Sequence, residues 1–253
     1  MREKIILMLV LLFLGVLIIL PLCVVFLLSI VPRWSSVFPT SFSFEWWLAI
    51  LKPKFTKVIL NTLLVTAVST LITVGYAIIA SYLFAFYDFR GKEILSSLIL
   101  SPTYVAGVVL ALGLLTMYPL IRNTFWILML GHFVVISPIV FRCVLSSMIK
   151  IPNNLIEASY SLGSSKANTF WRIVLPLSKQ GILSGTVLSI GTNISELSVS
   201  LLLYGAGWAT IPIQIYLERG WGILGIAGVL STILILITLT TVFCVDYLGG
   251  KKP

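Results

Sequence analysis

Six apolar stretches, each long enough to cross a lipid bilayer, constrain this chain more than any other feature. A membrane-spanning helix needs roughly 20 mostly apolar residues. The stretches cover residues 5–31, 58–87, 94–118, 123–148, 175–204 and 221–247. The third contains Pro102 and the fourth Pro138, and a proline in a membrane helix often marks a bend. The sequence therefore predicts an all-α membrane protein with six transmembrane helices.

The overall composition fits a membrane domain and leaves little chain for a second, soluble one. The 253 residues are 59% hydrophobic and 10% charged, whereas soluble proteins carry about 25% charged residues. The net charge of +9 does not indicate nucleic-acid binding, because the basic residues are scattered at the ends of the apolar stretches. We expect a first helix and outer loop over 1–57, a core domain over 58–247 and a tail over 248–253.

The N-terminal stretch and the cysteines exclude two other classes of protein. The run over 5–31 is too long for the apolar part of a signal peptide and has no small-residue cleavage site, so it is predicted to be a retained membrane helix. Cys23, Cys143 and Cys244 lie in or at the end of apolar stretches and form no CxxC pair. Neither a disulfide framework nor a metal site is expected, and small apolar packing roles are favoured.

The distribution of Lys and Arg predicts the orientation in the membrane. Cytoplasmic loops carry an excess of both residues. If the N-terminus is cytoplasmic, eleven basic residues lie on that side: Arg2, Lys4, Arg90, Lys92, Arg142, Lys150, Lys166, Arg172, Lys179, Lys251 and Lys252. Six lie outside: Arg33, Lys52, Lys54, Lys57, Arg122 and Arg219. We therefore expect both termini in the cytoplasm, in a multi-pass protein of a prokaryotic cytoplasmic (inner) membrane.

Two segments predicted on the outer side have distinctive compositions. Aromatic residues cluster in the first, at Phe42, Phe44, Trp46 and Trp47, and such residues are enriched at membrane interfaces. A short interfacial helix is predicted over 44–51. The second segment, 205–220, is rich in Gly, Trp and Pro, and we expect an ordered re-entrant or loop segment.

The polar segment between the fourth and fifth stretches is predicted to form two short helices joined by a sharp turn. Asn154 followed by Glu157 resembles a capping box, and Glu157 is placed in the first turn, where the helix dipole favours an anion. Gly163 is expected to be a left-handed residue that ends the first helix. Ser164 or Ser165 can then cap the second. With the predicted orientation, this segment lies in the cytoplasm.

The residues at 157–176 resemble the EAA motif of ABC importer permeases, EAA-x3-G-x9-I-x-L-P. Glu157, Ala158, Gly163, Ile173 and the pair Leu175-Pro176 match in register. Ser159 departs from the pattern, because the third position is usually Ala, but Ser is also small. The start of the second stretch at Asn61-Thr62 and the lead-in at Pro152 also look like these permeases. The resemblance extends from about residue 61 to the end of the chain.

The resemblance implies a fold, a set of partners and a role for this segment. The fold is that of a type I importer permease (MetI-like), and the segment over 153–170 is the coupling helix that docks on an ATP-hydrolysing subunit. The implied partners are two such ATPase subunits, a second permease that is identical or homologous, and an extracytoplasmic solute-binding protein. The residues assigned to docking are Glu157, Ala158, Ser159, Gly163, Ala167, Ile173, Leu175 and Pro176. Small residues allow close approach, and Tyr160, Leu162 and Phe170 are candidate apolar anchors.

Polar residues inside the membrane stretches are candidates for the solute pathway. Asn193, Glu196 and Ser200 have a spacing that places them on one face of a continuous fifth helix. The alternative is that Glu196 pairs with a neighbouring helix. His132 is more typical of a hydrogen bond between helices. Gly181 and Gly185 form a GxxxG pattern that permits close packing of helices.

The function predicted is ATP-driven import of a small solute by alternating access, with no chemistry in this chain. No GxxxxGK(S/T) phosphate loop occurs in the sequence, so ATP and magnesium are expected in the partner ATPase and no cofactor here. The run from Glu196 to Tyr216 looks like permeases for ferric iron, phosphonates or sugar phosphates, and polyamines. Ferric iron or a phosphonate or sugar phosphate is the first expectation, and a polyamine or another small solute is the alternative within this class. The alternative from another class is a channel or secondary carrier that uses Glu196 and His132 as a proton relay.

Overall fold

The computed structural model of the protein describes residues 2–32, 41–205 and 207–249, and all regular elements in these ranges are helical. The α-helices are α1 (Arg2–Ile30), α2 (Glu45–Ala49), α3 (Pro53–Phe86), α4 (Lys92–Leu100), α5 (Gly107–Met117), α6 (Phe125–Met148), α7 (Asn153–Ser161), α8 (Lys166–Thr169), α9 (Leu175–Leu177), α10 (Lys179–Ser195), α11 (Ser200–Leu203), α12 (Ile211–Gly220) and α13 (Leu224–Gly249). A π-helical segment, Phe170–Val174, joins α8 to α9. Of the predicted tail, residues 248–249 end α13 and residues 250–253 lie outside the described residues.

Six membrane crossings are present if each bent helix pair counts as one. Helices α1, α3, α6 and α13 are long and apolar enough to cross a bilayer alone. The third crossing is bent by 112° between residues 92–104 and 107–117, and the fifth by 66° between 166–177 and 179–195. Pro102 lies in a 3₁₀ turn at the first bend, so the predicted bend there is confirmed. Pro138 lies inside α6, which continues past it.

One expectation about an individual element is wrong. The fifth helix does not run to Tyr204: α10 ends at Ser195, and Glu196 has an extended backbone with φ −70° and ψ 114°. The segment over 205–220, predicted as an ordered re-entrant or loop segment, contains the short helix α12, which covers ten of its residues. At about 1.5 Å per residue α12 is too short to cross a bilayer. The short helix expected over 44–51 is confirmed as α2.

The chain divides into two units, Met1–Leu60 with Thr210–Leu236, and Asn61–Ala209 with Ile237–Pro253. In the first unit, α2 is fixed to the end of α1 by two indole hydrogen bonds. Trp46 donates to the carbonyl of Val31 at 3.1 Å, and Trp47 donates to the hydroxyl of Ser29 at 3.3 Å. Gly228 permits a close approach of α13, since a Cβ there would lie 2.9 Å from backbone atoms of Leu28 and Ser29.

The second unit is built around α6. Of the most apolar part of this helix 61% is buried, against none of α1. Its N-terminal half packs in a cluster with Val65, Ala111 and Leu203. Its C-terminal half packs in a cluster with Ala77, Ile156 and Val174. The GxxxG pattern permits α10 to lie close to α6, because a Cβ on Gly181 would clash with Ser147 and one on Gly185 would press on Val140 and Cys143. The exposed apolar faces of the remaining crossings suit a lipid environment.

Candidate functional site

The first candidate site is the glycine-turn hairpin, residues 153–169, formed by α7, the turn at Gly163 and α8. Gly163 has φ +83°, the left-handed conformation expected for it. The N–H of Ser164 donates to the carbonyl of Ser159 at 3.0 Å, and the N–H of Gly163 donates to the carbonyl of Tyr160 at 2.9 Å. These two bonds form a Schellman motif, which satisfies the last carbonyls of α7 and reverses the chain.

The start of α7 differs from the prediction. The helix begins at Asn153, with Pro152 as its N-cap residue and no side-chain cap. Asn154 is therefore inside the helix and forms no capping box, and Glu157 lies beyond the first turn, where the dipole has little effect. Glu157 is exposed. The cap of the second short helix is confirmed, because the hydroxyl of Ser165 accepts from the N–H of Asn168 at 3.3 Å.

A buried contact between hydroxyls ties the two short helices to each other. The Oγ of Ser159 lies 2.6 Å from the Oγ1 of Thr169, and both side chains are buried. The prediction treated Ser159 only as a small residue that allows close approach to a partner. Its side chain instead points into the hairpin and holds it closed. The sequence did not indicate a role for Thr169. The only available signal was the hydroxyl of Ser159, which stands where the pattern usually has alanine and therefore needs a hydrogen-bond partner when buried.

The hairpin has an inner face attached to the protein and an outer face whose side chains are exposed. Ile156 is buried in the cluster around the C-terminal half of α6. The ring of Phe170, just after the hairpin, packs against Tyr82 with centroids 4.9 Å apart. Phe170 is therefore not the outward anchor that was expected. The outer face exposes Glu157, Ala158, Leu162, Gly163 and Ala167.

The remaining residues assigned to docking lie after the hairpin, in the approach to α10. Ile173 and Leu175 are half-buried, and Pro176 is exposed in α9. Between them, Val174 is fully buried in the same cluster as Ile156. The hydroxyl of Ser178, also fully buried, donates to the carbonyl of Val174 at 2.8 Å, at the bend before α10. The segment after the hairpin is thus packed directly onto the helix bundle.

The second candidate site is the polar centre, formed by Ser69, Thr70, His132, Asn193 and Ser200. All five side chains are buried. His132 of α6 lies between two partners, with Nδ1 2.7 Å from Oδ1 of Asn193 and Nε2 2.8 Å from Oγ of Ser200. The amide nitrogen of Asn193 donates to Ser69 at 2.9 Å and to Thr70 at 3.1 Å.

The hydrogen-bond directions in the polar centre are consistent with one neutral tautomer of His132. Because the amide nitrogen of Asn193 donates to α3, its oxygen must be the acceptor for His132. The Nδ1 of His132 then carries the proton, and Nε2 accepts from the hydroxyl of Ser200. Four helices, α3, α6, α10 and α11, are joined by this chain of contacts. Asn193 makes most of these contacts. In the sequence it was a candidate only because of its spacing from Glu196.

Glu196 does not hydrogen-bond to the side chains of this network through its carboxylate. Its helix has already ended, and its Oε1 accepts from the backbone N–H of Val199 at 2.9 Å, so the carboxylate caps the turn that leads into α11. The prediction that Asn193, Glu196 and Ser200 share one helix face is therefore wrong. The break in the helix after Ser195 nevertheless brings Asn193 and Ser200 together around His132. Gly131 makes this possible, since a Cβ there would clash with Val199 and Leu203.

Neither site has the donors of a metal centre. Within the residues that the structure describes, no group of three or more His, Cys, Asp or Glu side chains could hold a metal ion. Cys23 and Cys143 are free thiols, the first exposed and the second half-buried. Bent membrane crossings, an exposed hairpin between two of them and a buried polar centre suit a membrane transport subunit.

Comparison with known proteins gives the family. Residues 2–249 match the family described as binding-protein-dependent transport system inner membrane component, and the chain belongs to that family. The putative 2-aminoethylphosphonate transport system permease protein PhnV of Salmonella typhi is 27% identical over 224 residues, 87% of this chain and 85% of PhnV. The spermidine/putrescine transport system permease protein PotC of Escherichia coli strain K12 is 28% identical over 168 residues, 66% of this chain and 64% of PotC.

Solved structures give the same fold at low sequence identity. A bacterial ABC transporter involved in the import of the acidic polysaccharide alginate aligns with a TM-score of 0.78 at 15% identity, covering 99% of this chain and 96% of that one. The MetNI methionine ABC transporter, in an inward-facing conformation, aligns with a TM-score of 0.68 at 15% identity, covering 80% and 97%. The predicted all-α, type I ABC importer permease fold is confirmed, and the chain is a transport permease subunit and not an enzyme.

Proposed function

We propose that this chain moves a small solute bearing a primary amine across the cytoplasmic membrane by alternating access, driven by ATP hydrolysis in partner ATPase subunits. The observation that carries the proposal is the glycine-turn hairpin. It exposes Glu157, Ala158 and Gly163 of the EAA pattern on its outer face and is attached on its inner face to the helix bundle. A rigid element with one free face and one attached face can transmit motion of a docked partner into the bundle.

The internal contacts of the hairpin support this coupling role. The Schellman bonds at Gly163 and the contact between Ser159 and Thr169 hold α7 and α8 in one arrangement. Ala158 and Ala167 present little side chain on the outer face, so a partner's backbone can approach closely, while Leu162 is 89% exposed and offers an apolar anchor. The contact of Phe170 with Tyr82 links the end of the hairpin to α3.

The proposed solute class comes from the relatives and not from the fold. The PhnV relative is named for 2-aminoethylphosphonate and the PotC relative for spermidine and putrescine. These molecules share a primary ammonium group on a short alkyl chain. 2-Aminoethylphosphonate is the first candidate because PhnV matches a larger share of the chain than PotC does. The relatives reported above give no support to ferric iron.

The proposed assembly is two permeases, two ATPase subunits and an extracytoplasmic binding protein, with the termini of this chain and the hairpin in the cytoplasm. The Lys and Arg distribution supports that orientation. The ATPase subunits of this assembly would dock on the outer face of the hairpin. The binding protein would deliver solute from the extracytoplasmic side of the membrane.

Purification and transport assays test the proposal together. An affinity-tagged chain purified from its native membranes should retain a subunit with a GxxxxGK(S/T) sequence. In proteoliposomes that subunit complex, with its binding protein, should accumulate labelled 2-aminoethylphosphonate only with ATP inside. Glu157→Ala should weaken ATPase retention at high salt, while Glu93→Ala, a control at an exposed glutamate of α4, should not. Uptake without any ATPase would contradict the proposal and favour a secondary carrier.

A further inference from the structure

A buried carboxylate on α12 holds the ammonium group of a lysine on α3, within the first unit. The side chain of Glu218 is 2% exposed, whereas that of Lys54 is 52% exposed. The Nζ of Lys54 lies 3.0 Å from Oε1 of Glu218. The same oxygen accepts from Nε2 of Gln214 at 2.6 Å. These residues belong neither to the glycine-turn hairpin nor to the polar centre.

Two aromatic rings complete the surroundings of this ammonium. The Nζ of Lys54 is 4.9 Å from the ring centroid of Trp221 and 5.1 Å from that of Phe55. Both distances are within the roughly 6 Å over which a cation is attracted to a ring face. Phe55 is buried, and Trp221 is 61% exposed. The ammonium therefore lies between a buried carboxylate, a buried ring and a ring open to the surroundings.

This arrangement has the chemistry of a recognition site for an ammonium group. The carboxylate supplies the charge and a hydrogen-bond acceptor, and the aromatic faces replace part of the water around the cation. A buried carboxylate is strongly disfavoured without a cation partner. The lysine that fills the site is half-exposed on a flexible stem, so it can leave when another ammonium takes its place.

The other ion pair among the described residues shows how unusual this one is. Lys92 and Asp88 are 2.9 Å apart, four residues from each other along the chain, and the Asp88 side chain is fully exposed. Such a surface pair contributes little, because water and salt screen both charges. The Glu218 carboxylate has no comparable access to water.

We propose that Glu218, Gln214, Phe55 and Trp221 form a binding site for a primary ammonium group, which Lys54 fills at rest and the ammonium of an arriving solute takes over. The site itself rests on the contacts above. Its use by the solute rests on the proposed function, since that gives the solute an amine and places α12 on the outer side.

Chemical rescue tests the site without any transport. Lys54→Met keeps the apolar stem of the lysine and removes its ammonium, which leaves Glu218 unpaired and should lower the Tm of the purified protein. Ethylammonium chloride should raise that Tm by several degrees in a saturable manner, because a ligand that binds only the folded state stabilises it. Tetraethylammonium chloride at equal ionic strength should not, since it has no N–H to donate to the carboxylate.

The double variant Lys54→Met/Glu218→Gln provides the matched control. It has no buried charge, so it should fold without an amine and show no saturable response to ethylammonium. Equal responses in the single and double variants, or none in either, would overturn the proposal. If Lys54→Met cannot be purified in plain buffer, its yield with ethylammonium becomes the measurement, and failure to recover protein with ethylammonium while the double variant is recovered counts against the site.

Transport kinetics test the exchange with solute. In the assembled transporter, Lys54→Met removes the competing ammonium and should lower the KM for 2-aminoethylphosphonate several-fold. A purely structural ion pair predicts an unchanged or higher KM with a reduced maximum rate, and that result would overturn the exchange step. If rescue by ethylammonium succeeds but no amine is transported by the wild-type complex, the proposed function fails and the ammonium site stands.

Discussion

The glycine-turn hairpin and the polar centre are both held by hydroxyl and amide hydrogen bonds, but over very different distances along the chain. In the hairpin, the bonded groups are at most ten residues apart, as for Ser159 and Thr169. In the polar centre, Asn193 is 61 residues from His132 and 124 from Ser69. The bonds that close the hairpin are therefore all local along the chain. The polar centre exists only when four separate helices have assembled.

This difference separates two kinds of mechanical role. A local, self-supporting element can move as one body without breaking its own bonds, which suits transmission of a partner's motion. A buried network between helices has to keep its bonds or exchange them when the helices rearrange, because unpaired polar groups in a membrane interior are unfavourable. We expect damage to the polar centre to change stability and damage to the hairpin to change coupling.

The largest loss of stability should follow Asn193→Leu. Leucine removes the amide that bonds to His132, Ser69 and Thr70, and it leaves those buried groups without this partner. We expect a loss of about 2 kcal/mol or more in the free energy of unfolding. Thermal unfolding of the purified protein, followed by tryptophan fluorescence, measures it. Ser195→Ala is the matched control, because this exposed hydroxyl of α10 donates only within its own helix, to Gly191 at 2.9 Å. Equal effects of the two changes would contradict the role assigned to the polar centre.

Gly163→Val should have a smaller effect on stability and a larger one on coupling. A β-branched residue is strongly disfavoured at φ +83°, at a cost of about 1–2 kcal/mol. A Cβ at this position would meet nothing within 4 Å, so the effect comes from the backbone conformation and not from a clash. ATPase activity stimulated by the loaded binding protein should fall, while the Tm of the helix bundle changes little.

Gly163→Asn is the control for that experiment. Asparagine accepts the left-handed conformation far better than valine, so it should retain most of the stimulated ATPase activity. If the Val and Asn variants lose activity equally, the glycine is needed for contact with the partner and not for its conformation.

The local patterns of the hairpin could be predicted from the sequence, and the long-range contacts could not. Gly163 and Ser165 carry their conformational preferences with them, so the turn and the second cap follow from residue type. The capping box failed because Pro152 and not Asn154 is the N-cap residue, so the helix starts two residues earlier than predicted. The break after Ser195 was missed for a related reason: an apolar run that continues to Tyr204 gives no sign that Glu196 caps a new turn.

Asn193 and Ser200 both hydrogen-bond to His132, and this contact shows the limit of helical spacing as a guide to a site. Spacing assumed one continuous helix and so favoured Glu196 over His132. The actual contacts depend on how α6 and α10 pack, which Gly181 and Gly185 indicate, and on how α11 turns back, which Gly131 permits. The same limit applies to Glu218, whose partner Lys54 lies 164 residues away.

Ser159→Ala should weaken the hairpin by about 1 kcal/mol, because it leaves the buried hydroxyl of Thr169 without this partner. The change restores the alanine common in the EAA pattern, so a role in close approach to the partner would be preserved. Faster hydrogen exchange of α7 and α8 amides, with an unchanged Tm, is the expected result. Combining it with Thr169→Val completes a double-mutant cycle, in which the double variant should cost less than the sum of the two single ones. Additive effects would show that the two hydroxyls do not act as a pair.

The smallest effect is expected from Glu196→Gln, and it separates the capping role of this residue from a role in the solute pathway. Glutamine keeps an oxygen that can accept from the N–H of Val199, so the turn into α11 should persist. The free energy of unfolding should then change by no more than about 0.5 kcal/mol, with a correspondingly small change in Tm. Glu196→Ala removes the acceptor and should cost about 1 kcal/mol. If the carboxylate also contacts the ammonium of a passing solute, both variants should reduce uptake in proteoliposomes. The Gln variant should do so at unchanged stability. Uptake that follows the Tm across both variants would leave Glu196 as a cap only, and the solute pathway would then have to be sought among other residues.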